Sequence, residues 1–331
     1  MSDLALAAFA ADTDAHLVDA PRTERYARFR RGFDQRAYLE DLWERGLRFV
    51  GRSATEFPPL LRAIHDPPPG LFLRGTGAVE SLSATAVAVV GARACSTYGA
   101  QVARSLAREL AAAGVIVVSG MARGVDGEAH RGALEAGGLT VAVLGCGVDR
   151  DYPAAHASLA REIAERGVVV SEYAPGTEPA PWRFPARNRI IAGLARAVVV
   201  VEARERSGAL ITADLALEEG RDVFAVPGEI TASLSAGTNG LLRLGAHVLT
   251  AARDVLDVLG IEPRPRPRTP LPEGAARRVL DALTAGPATA DELVGTIGLS
   301  AAELAPALTQ LELAGLIAEG DGLYRTVMPG G

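Results

Sequence analysis

Arg93 stands two residues after Gly91 in the segment 87–99, VAVVGARACSTYG, where a β-branched apolar run gives way to a small polar loop. Helical periodicity follows from Tyr98 to Ala113. A strand, a tight turn and a helix start present unpaired backbone N–H groups and the positive end of a helix dipole to an anion. Gly91, Arg93, Ser96, Tyr98 and Gly99 are therefore expected to border a phosphate. The dinucleotide fingerprint requires a second glycine where this chain has Arg93, because a pyrophosphate lies against bare backbone there. A guanidinium fills that space, yet its paired donors suit one phosphodiester group. A lone Gly-rich turn with a solvated arginine carries little weight, so the loops downstream matter.

The segment 119–130, SGMARGVDGEAH, has Ser119 and Gly120 where a dehydrogenase places its ribose-binding acid, which argues against a nicotinamide cofactor. Arg123 and the N–H of Gly124 can hold another phosphate. Asp126 and His130 lie four residues apart and are read as a first-turn acid and a satisfied histidine, not as an acid–base pair. In 145–153, GCGVDRDYP, Gly147 brings backbone close to a ligand, and Tyr152 either stacks on a base or caps the sheet. The segment 171–195 is the most informative. There Arg183, Arg187 and Arg189 alternate with Trp182 and Phe184 ahead of a helix opening near Asn188. Cations beside flat apolar faces match single-stranded nucleic acid, and three cations at a helix start are unfavourable without an anion. The alternative is an arm that packs its aromatics into the core. Ser207 and Gly208, in EARERSGALIT at 202–212, cap either a helix or a phosphate.

Short apolar runs at 87–90, 115–118, 141–144, 168–170, 198–201 and 223–226 alternate with helix-length segments, the pattern of a doubly wound, mainly parallel α/β sheet. Ligands of such sheets lie beyond the carboxyl ends of the strands, where all these loops fall. Residues 1–80 are expected to form a helical domain, with Tyr38, Leu39, Leu42 and Trp43 buried by an amphipathic helix over 37–47. LFLRG, after Pro67–Gly70, is expected to be a short strand leading into the main domain, 81–262. A Pro/Arg linker over 263–274 precedes a winged-helix-like domain at 275–331, with helices at 275–284, 290–297 and 301–314 and a hairpin. Its third helix carries Glu303 and Glu312 and no arginine, which favours protein contact over the major groove.

The chain has 331 residues, 48% of them hydrophobic, and no apolar run long enough to span a membrane. Its N-terminus lacks the basic residues of a signal peptide, so the expectation is cytoplasmic, with no membrane partner. All 34 positive charges are arginine, which excludes Walker-type phosphate binding and Schiff-base chemistry, since both need lysine. Cys95 and Cys146 are read as free thiols, and no metal is expected. A net charge of −6 leaves room only for a focused cationic cluster: residues 84–260 hold 17 arginines against 19 acids, and residues 275–331 hold 3 against 7.

The ordered succession VVGARACSTYG, VSGMARGVDGEAH, GCGVDRDYP, SEYAPG, FPARNRIIAGLA, EARERSGALIT and EEGRDVFAVPG resembles the DprA/Smf family of DNA-processing proteins over about residues 84–260. The resemblance implies an extended Rossmann fold that binds single-stranded DNA without sequence preference as a homodimer and loads the RecA recombinase onto it. It implies no cofactor and no catalysis. A helical (SAM-like) segment before the core and a winged-helix-like tail after it are usual in the family. By motif match Arg93 corresponds to the family's phosphate-binding arginine, and Arg187 and Arg189 to the basic pair of its F-P-x-R-N-R motif. Many members carry a DNA-contacting lysine after the Tyr-Pro of the third loop; here that residue is Ala154, leaving Arg150 or Arg183 to substitute. Two rival readings are kept. Related Rossmann enzymes cleave nucleotide N-glycosidic bonds, but their P-G-G-x-G-T-x-x-E signature is not met by VPGEIT at 226–231. A transcription regulator acting through the tail is disfavoured by its acidic third helix.

Overall fold

β-Branched runs with no polar interruption form strands that bury both faces, and six of them stack in parallel here. The computed structural model describes residues 2–13, 23–262, 272–320 and 322–326. Its strands are β1 (Leu47–Gly51), β2 (Gly70–Arg74), β3 (Ala86–Val90), β4 (Ile116–Ser119), β5 (Thr140–Val143), β6 (Val168–Ser171), β7 (Ala197–Val200), β8 (Asp222–Ala225) and β9 (His247–Val248). They make one nine-stranded sheet in the order β1-β2-β6-β5-β4-β3-β7-β8-β9. All pairings from β6 to β9 are parallel, while β2 runs antiparallel to β6 and β1 antiparallel to β2. The order reverses between β3 and β7, the position at which doubly wound sheets open a crevice.

The helices are α1 (Asp3–Thr13), α2 (Glu24–Gly32), α3 (Gln35–Glu44), α4 (Pro59–Arg62), α5 (Thr97–Ala112), α6 (Val125–Glu135), α7 (Ala157–Arg166), α8 (Arg183–Leu194), α9 (Gly208–Glu218), α10 (Ala236–Arg243) and α11 (Ala252–Leu259). Alternation along each strand sends side chains to opposite layers. Val87, Val89, Val117 and Val199 pack under Leu106 and Leu110 of α5 and Val255 of α11. Ala88, Val90, Val118 and Val198 pack on Ile190 and Ile191 of α8 and Ala213 of α9. A side chain at Gly132 would strike the Arg104 carbonyl, so glycine lets α6 lie against α5.

The sheet reaches back to Leu47, so a boundary near residue 80 would cut through it. Phe72 of β2 is fully buried and pairs with Ser171 of β6. The helix expected over 37–47 ends at Glu44, because Gly46 takes a left-handed φ of 66° and turns the chain into β1. Leu42 is 1% exposed as expected, but Leu39 is 40% and Trp43 79% exposed. All four residues of the expected stripe lie on α3, which buries Leu42 and leaves Leu39 and Trp43 on its outer side.

Beyond the core come α12 (Gly274–Ala285), α13 (Ala290–Ile297), α14 (Ala301–Leu313), β10 (Ile317–Gly320) and β11 (Leu323–Thr326). Val279, Leu283, Leu293, Leu304, Leu311 and Ile317 give these elements a core of their own. Residues 263–271 of the expected linker lie outside the described residues. Gly320 of the hairpin rests against Thr97 at the start of α5.

Two polar groups, one largely and one fully buried, tie the layers together. Arg189 of α8 donates both Nη atoms to the Glu172 carboxylate at 2.7 Å and its Nε to Asp66 at 3.0 Å. His130 of α6 meets Thr140 Oγ1 through Nδ1 at 2.7 Å, and its Nε2 has no partner. Removing one member of a largely buried ion pair strands the other, so Arg189→Ala is expected to lower unfolding free energy by about 3 kcal/mol in denaturant titration. Burial pushes the His130 imidazole down to about 3. The unfolded chain takes up this proton near pH 6.5, so stability holds above that pH and is lost as pH falls toward 3, by about 1.4 kcal/mol per unit. Relative to His130→Gln, the wild type is expected to lose about 2 kcal/mol between pH 7.5 and 5; equal losses in both proteins would refute a neutral buried imidazole.

Candidate nucleic-acid interface

At the carboxyl ends of β3, β4 and β5 the loops expose Arg93, Arg123 and Tyr152, and the start of α8 brings the half-buried Phe184 between Arg93 and Tyr152. The Arg93 guanidinium lies 5.5 Å from the Phe184 ring centroid, and Phe184 stacks on Tyr152 at 5.3 Å with 23° between planes. Arg123 stands exposed on the neighbouring loop. Tyr152 is 42% exposed and presents its ring beside Phe184. Two cavities flank this row. One of about 230 Å³ is lined by Arg93, Arg123, Tyr152, Phe184 and Arg187; the other, about 210 Å³, lies toward Asp126, Asn188, Ser207 and Gly208.

The start of α5 does not offer the phosphate seat expected of Ser96, Tyr98 and Gly99. Glu202, just past β7, places its carboxylate there: it accepts from the Ser96 N–H at 2.8 Å and from the Ser96 hydroxyl at 2.5 Å. Gly99 has no side chain because the Glu202 carboxylate occupies that space. An internal anion already satisfies the helix start, and a phosphate beside it would meet like charge. Gly91 allows the turn to approach Val125, and Arg93 points away toward Phe184. Glu202 reaches this helix start because β7 pairs with β3, a neighbourhood that the structure supplies.

The second and third loops are packed more tightly than their residue types suggested. Ser119 is buried and donates to the Val89 carbonyl at 2.6 Å. Gly120 makes room for the Arg187 guanidinium, which a Cβ would meet at 2.6 Å. Gly124 caps α6 with φ 74°, and the Val125 N–H reaches the Ala92 carbonyl at 3.2 Å, drawing the Arg93 and Arg123 loops together. Gly147 is buried against Asp149 and the Ala174 carbonyl and lines neither cavity.

The arginines of α8 divide into three roles. Arg187 is buried; its Nη1 donates to the Gly120 carbonyl at 2.6 Å and to the Val143 carbonyl, bridging the ends of β4 and β5. Burial weakens its hold on the proton and the nearby Asp126 restores it, while burial raises the Asp126 carboxyl and Arg187 opposes that. Arg183 is buried between Tyr173 and Trp182, 5.1 and 4.9 Å from their ring centroids, and donates to the Glu178 carbonyl. Arg189 faces Glu172 and Asp66, so it is not gathered with Arg93 as the motif match implied. Asn188 donates to the Gly208 carbonyl at 3.1 Å, and Ser207 accepts from the Ala209 N–H at 3.3 Å, capping α9. The exposed groups are thus Arg93, Arg123 and Tyr152, with the half-buried Phe184 ring between Arg93 and Tyr152 and Arg187 buried beside it.

A family model described as DNA recombination-mediator protein A matches residues 48–260, and one described as DprA winged helix domain matches residues 262–322. The putative DNA processing protein DprA of Mycobacterium tuberculosis is 43% identical over 311 residues, covering 88% of this chain and 80% of that protein. The X-ray structure of DNA processing protein A from Streptococcus pneumoniae superposes with a TM-score of 0.66 at 38% identity, over 78% of this chain and 92% of that one. The Helicobacter pylori protein, described for its single-stranded DNA binding mode, gives 0.57 at 31% identity over 64% and 95%. With the sheet, the tail and both family models in agreement, the chain belongs to the DNA recombination-mediator protein A family, DprA/Smf.

Proposed function

We propose that this chain binds single-stranded DNA without sequence preference along the row Arg93, Phe184 and Tyr152, and passes the coated strand to the RecA recombinase. The observation that carries this reading is the exposed guanidinium over a stacked aromatic pair at the mouth of two small cavities. A cation for the phosphate and a flat face for the base are what an unpaired strand requires, and neither is specific for a base type. The single-stranded DNA binding described for the H. pylori protein supports it. The hand-over to RecA rests on family membership.

The protein acts without catalysis, in the cytoplasm, as a homodimer. The sheet ends in the two-residue edge strand β9, where Val248 and the nearby Leu244 are exposed, an apolar edge that a second copy would cover. Among the described residues no helix is long and apolar enough to cross a membrane. The loop 226–231, which would hold a glycosidase acid, borders the cavity between core and tail and lines neither cavity at Arg93.

Arg93→Ala is expected to weaken oligonucleotide binding at least tenfold and to flatten the slope of log affinity against log salt by about 0.7, the share of one single-strand phosphate. An unchanged slope in a folded variant would remove Arg93 from the interface. Arg187→Met is expected to lower thermal stability as well as affinity, because two strand-end carbonyls lose their donor; a normal melting temperature would contradict the buried placement. A chain of residues 1–262 is expected to keep its short-oligonucleotide affinity, since the tail has three arginines against seven acids. A tenfold loss, about 1.4 kcal/mol, would transfer the site to the tail.

A further inference from the structure

Residues 23–36, TERYARFRRGFDQR, hold five arginines against two acids in a chain whose net charge is −6. Arg25, Arg28, Arg30 and Arg31 of α2 are exposed, and among the described residues no ion pair engages any of them. Arg30 and Arg31 lie in the last turn, where the helix dipole favours cations; Arg25 and Arg28 have no such partner. Side chains three apart share a helix face, so Arg25, Arg28 and Arg31 form a rail along α2. The opposite face carries Tyr26, buried against Phe9 with ring centroids 5.2 Å apart.

Beside the rail, α2 and α3 enclose an open groove of about 680 Å³. Arg25 and Arg28 border it, and a ladder of half-buried rings lines it: Phe29 stacks on Phe33 at 5.3 Å with 28° between planes, and Phe33 meets Tyr38 at 5.3 Å. Two acids also border it, and both are engaged. Asp34 caps α3 by accepting the N–H groups of Arg36 and Ala37 at 3.0 Å, and Asp41 pairs with Arg45 at 3.3 Å. The charge left open in the groove is therefore positive. Arg45 also reaches Asp149 at 2.8 Å, three residues before Tyr152, so the end of α3 is fastened to the loop that carries the exposed tyrosine.

We propose that this groove is a second single-strand site, in which Arg25, Arg28 and Arg31 hold successive phosphates of a strand that continues from Tyr152 along α3, while its bases lie against the Phe29, Phe33 and Tyr38 rings. The inference rests on the single-strand reading above. α3 has ten residues and is about 15 Å long, a distance that a few nucleotides cover. Free cations answer the backbone and aromatic surfaces answer unpaired bases, whereas a duplex keeps its bases stacked away from such rings. The helical N-terminal segment thus lengthens the footprint of the protein on DNA.

The test titrates the full chain with oligothymidine of about eight nucleotides, enough for the row alone, and of about thirty, enough to reach α2. The variant Arg25→Ala/Arg28→Ala/Arg31→Ala, at exposed helical positions that alanine suits, is expected to keep the wild-type melting temperature and short-strand affinity. On the long strand it is expected to lose about tenfold in affinity and to flatten the slope of log affinity against log salt by about 2, the share of three phosphates. The corresponding triple lysine variant is expected to keep the long-strand slope; a slope as flat as that of the alanine variant would overturn the phosphate contacts. An equal loss on the short strand, or no loss on either, would overturn the groove and leave single-strand binding at the row standing. An equal loss on a duplex of the long strand's length would give the rings no part and overturn the single-strand assignment of the groove. Absence of saturable wild-type binding to both strands would instead sink the single-strand reading itself, and the groove with it.

Discussion

Everything at the interface depends on a single buried cation. Arg187 holds the carbonyl ends of β4 and β5, which belong to different loops, and Gly120 lacks a side chain so that the guanidinium can reach them. A charge removed from water is stable only when paired and fully bonded, and Asp126 supplies the opposite sign. Lysine could not replace it, because a single ammonium lacks the planar fork that serves several acceptors from one fixed direction. The loops bearing Arg93 and Arg123 therefore rest on a rigid base, and side chains that carry function gain precision from rigid supports.

The parallel sheet supplies the second constraint. Because every strand from β6 to β9 points the same way, their loops emerge on one side, and groups as distant in sequence as Arg93, Tyr152 and Phe184 meet there. A chain of net charge −6 can present a cationic row only by neutralising its other arginines internally. Arg189 with Glu172, Arg45 with Asp149 and Arg74 with Asp151 do this. What remains exposed near the stacked rings is positive.

The six parallel strands were legible because valine-rich runs of four or five residues have no other stable use. β1 and β2 were harder: LRFVG is half polar, and its leucine completes a helical stripe that Gly46 interrupts. The ordered motifs pointed to the right family. The partners of the arginines were not legible. Arg187 and Arg189 differ by two positions, about 200° around a helix, so one faces the strand ends and the other Glu172. Likewise Glu202 lies more than a hundred residues from the helix start it satisfies, and no local pattern links them.

That carboxylate has a consequence for competition. In the related cofactor-binding sheets the first helix start is the attraction for a free dinucleotide or nucleotide. Here the chain carries its own permanent tenant at that position, so small anionic metabolites find the strongest backbone donor site already filled. What is left is a row of separated, individually weak contacts, which rewards a ligand able to make several at once. A polymer can do so and a monomer cannot, so on the single-strand reading proposed above a strand is favoured over a free nucleotide by occupancy, without any group that repels the monomer at the row itself.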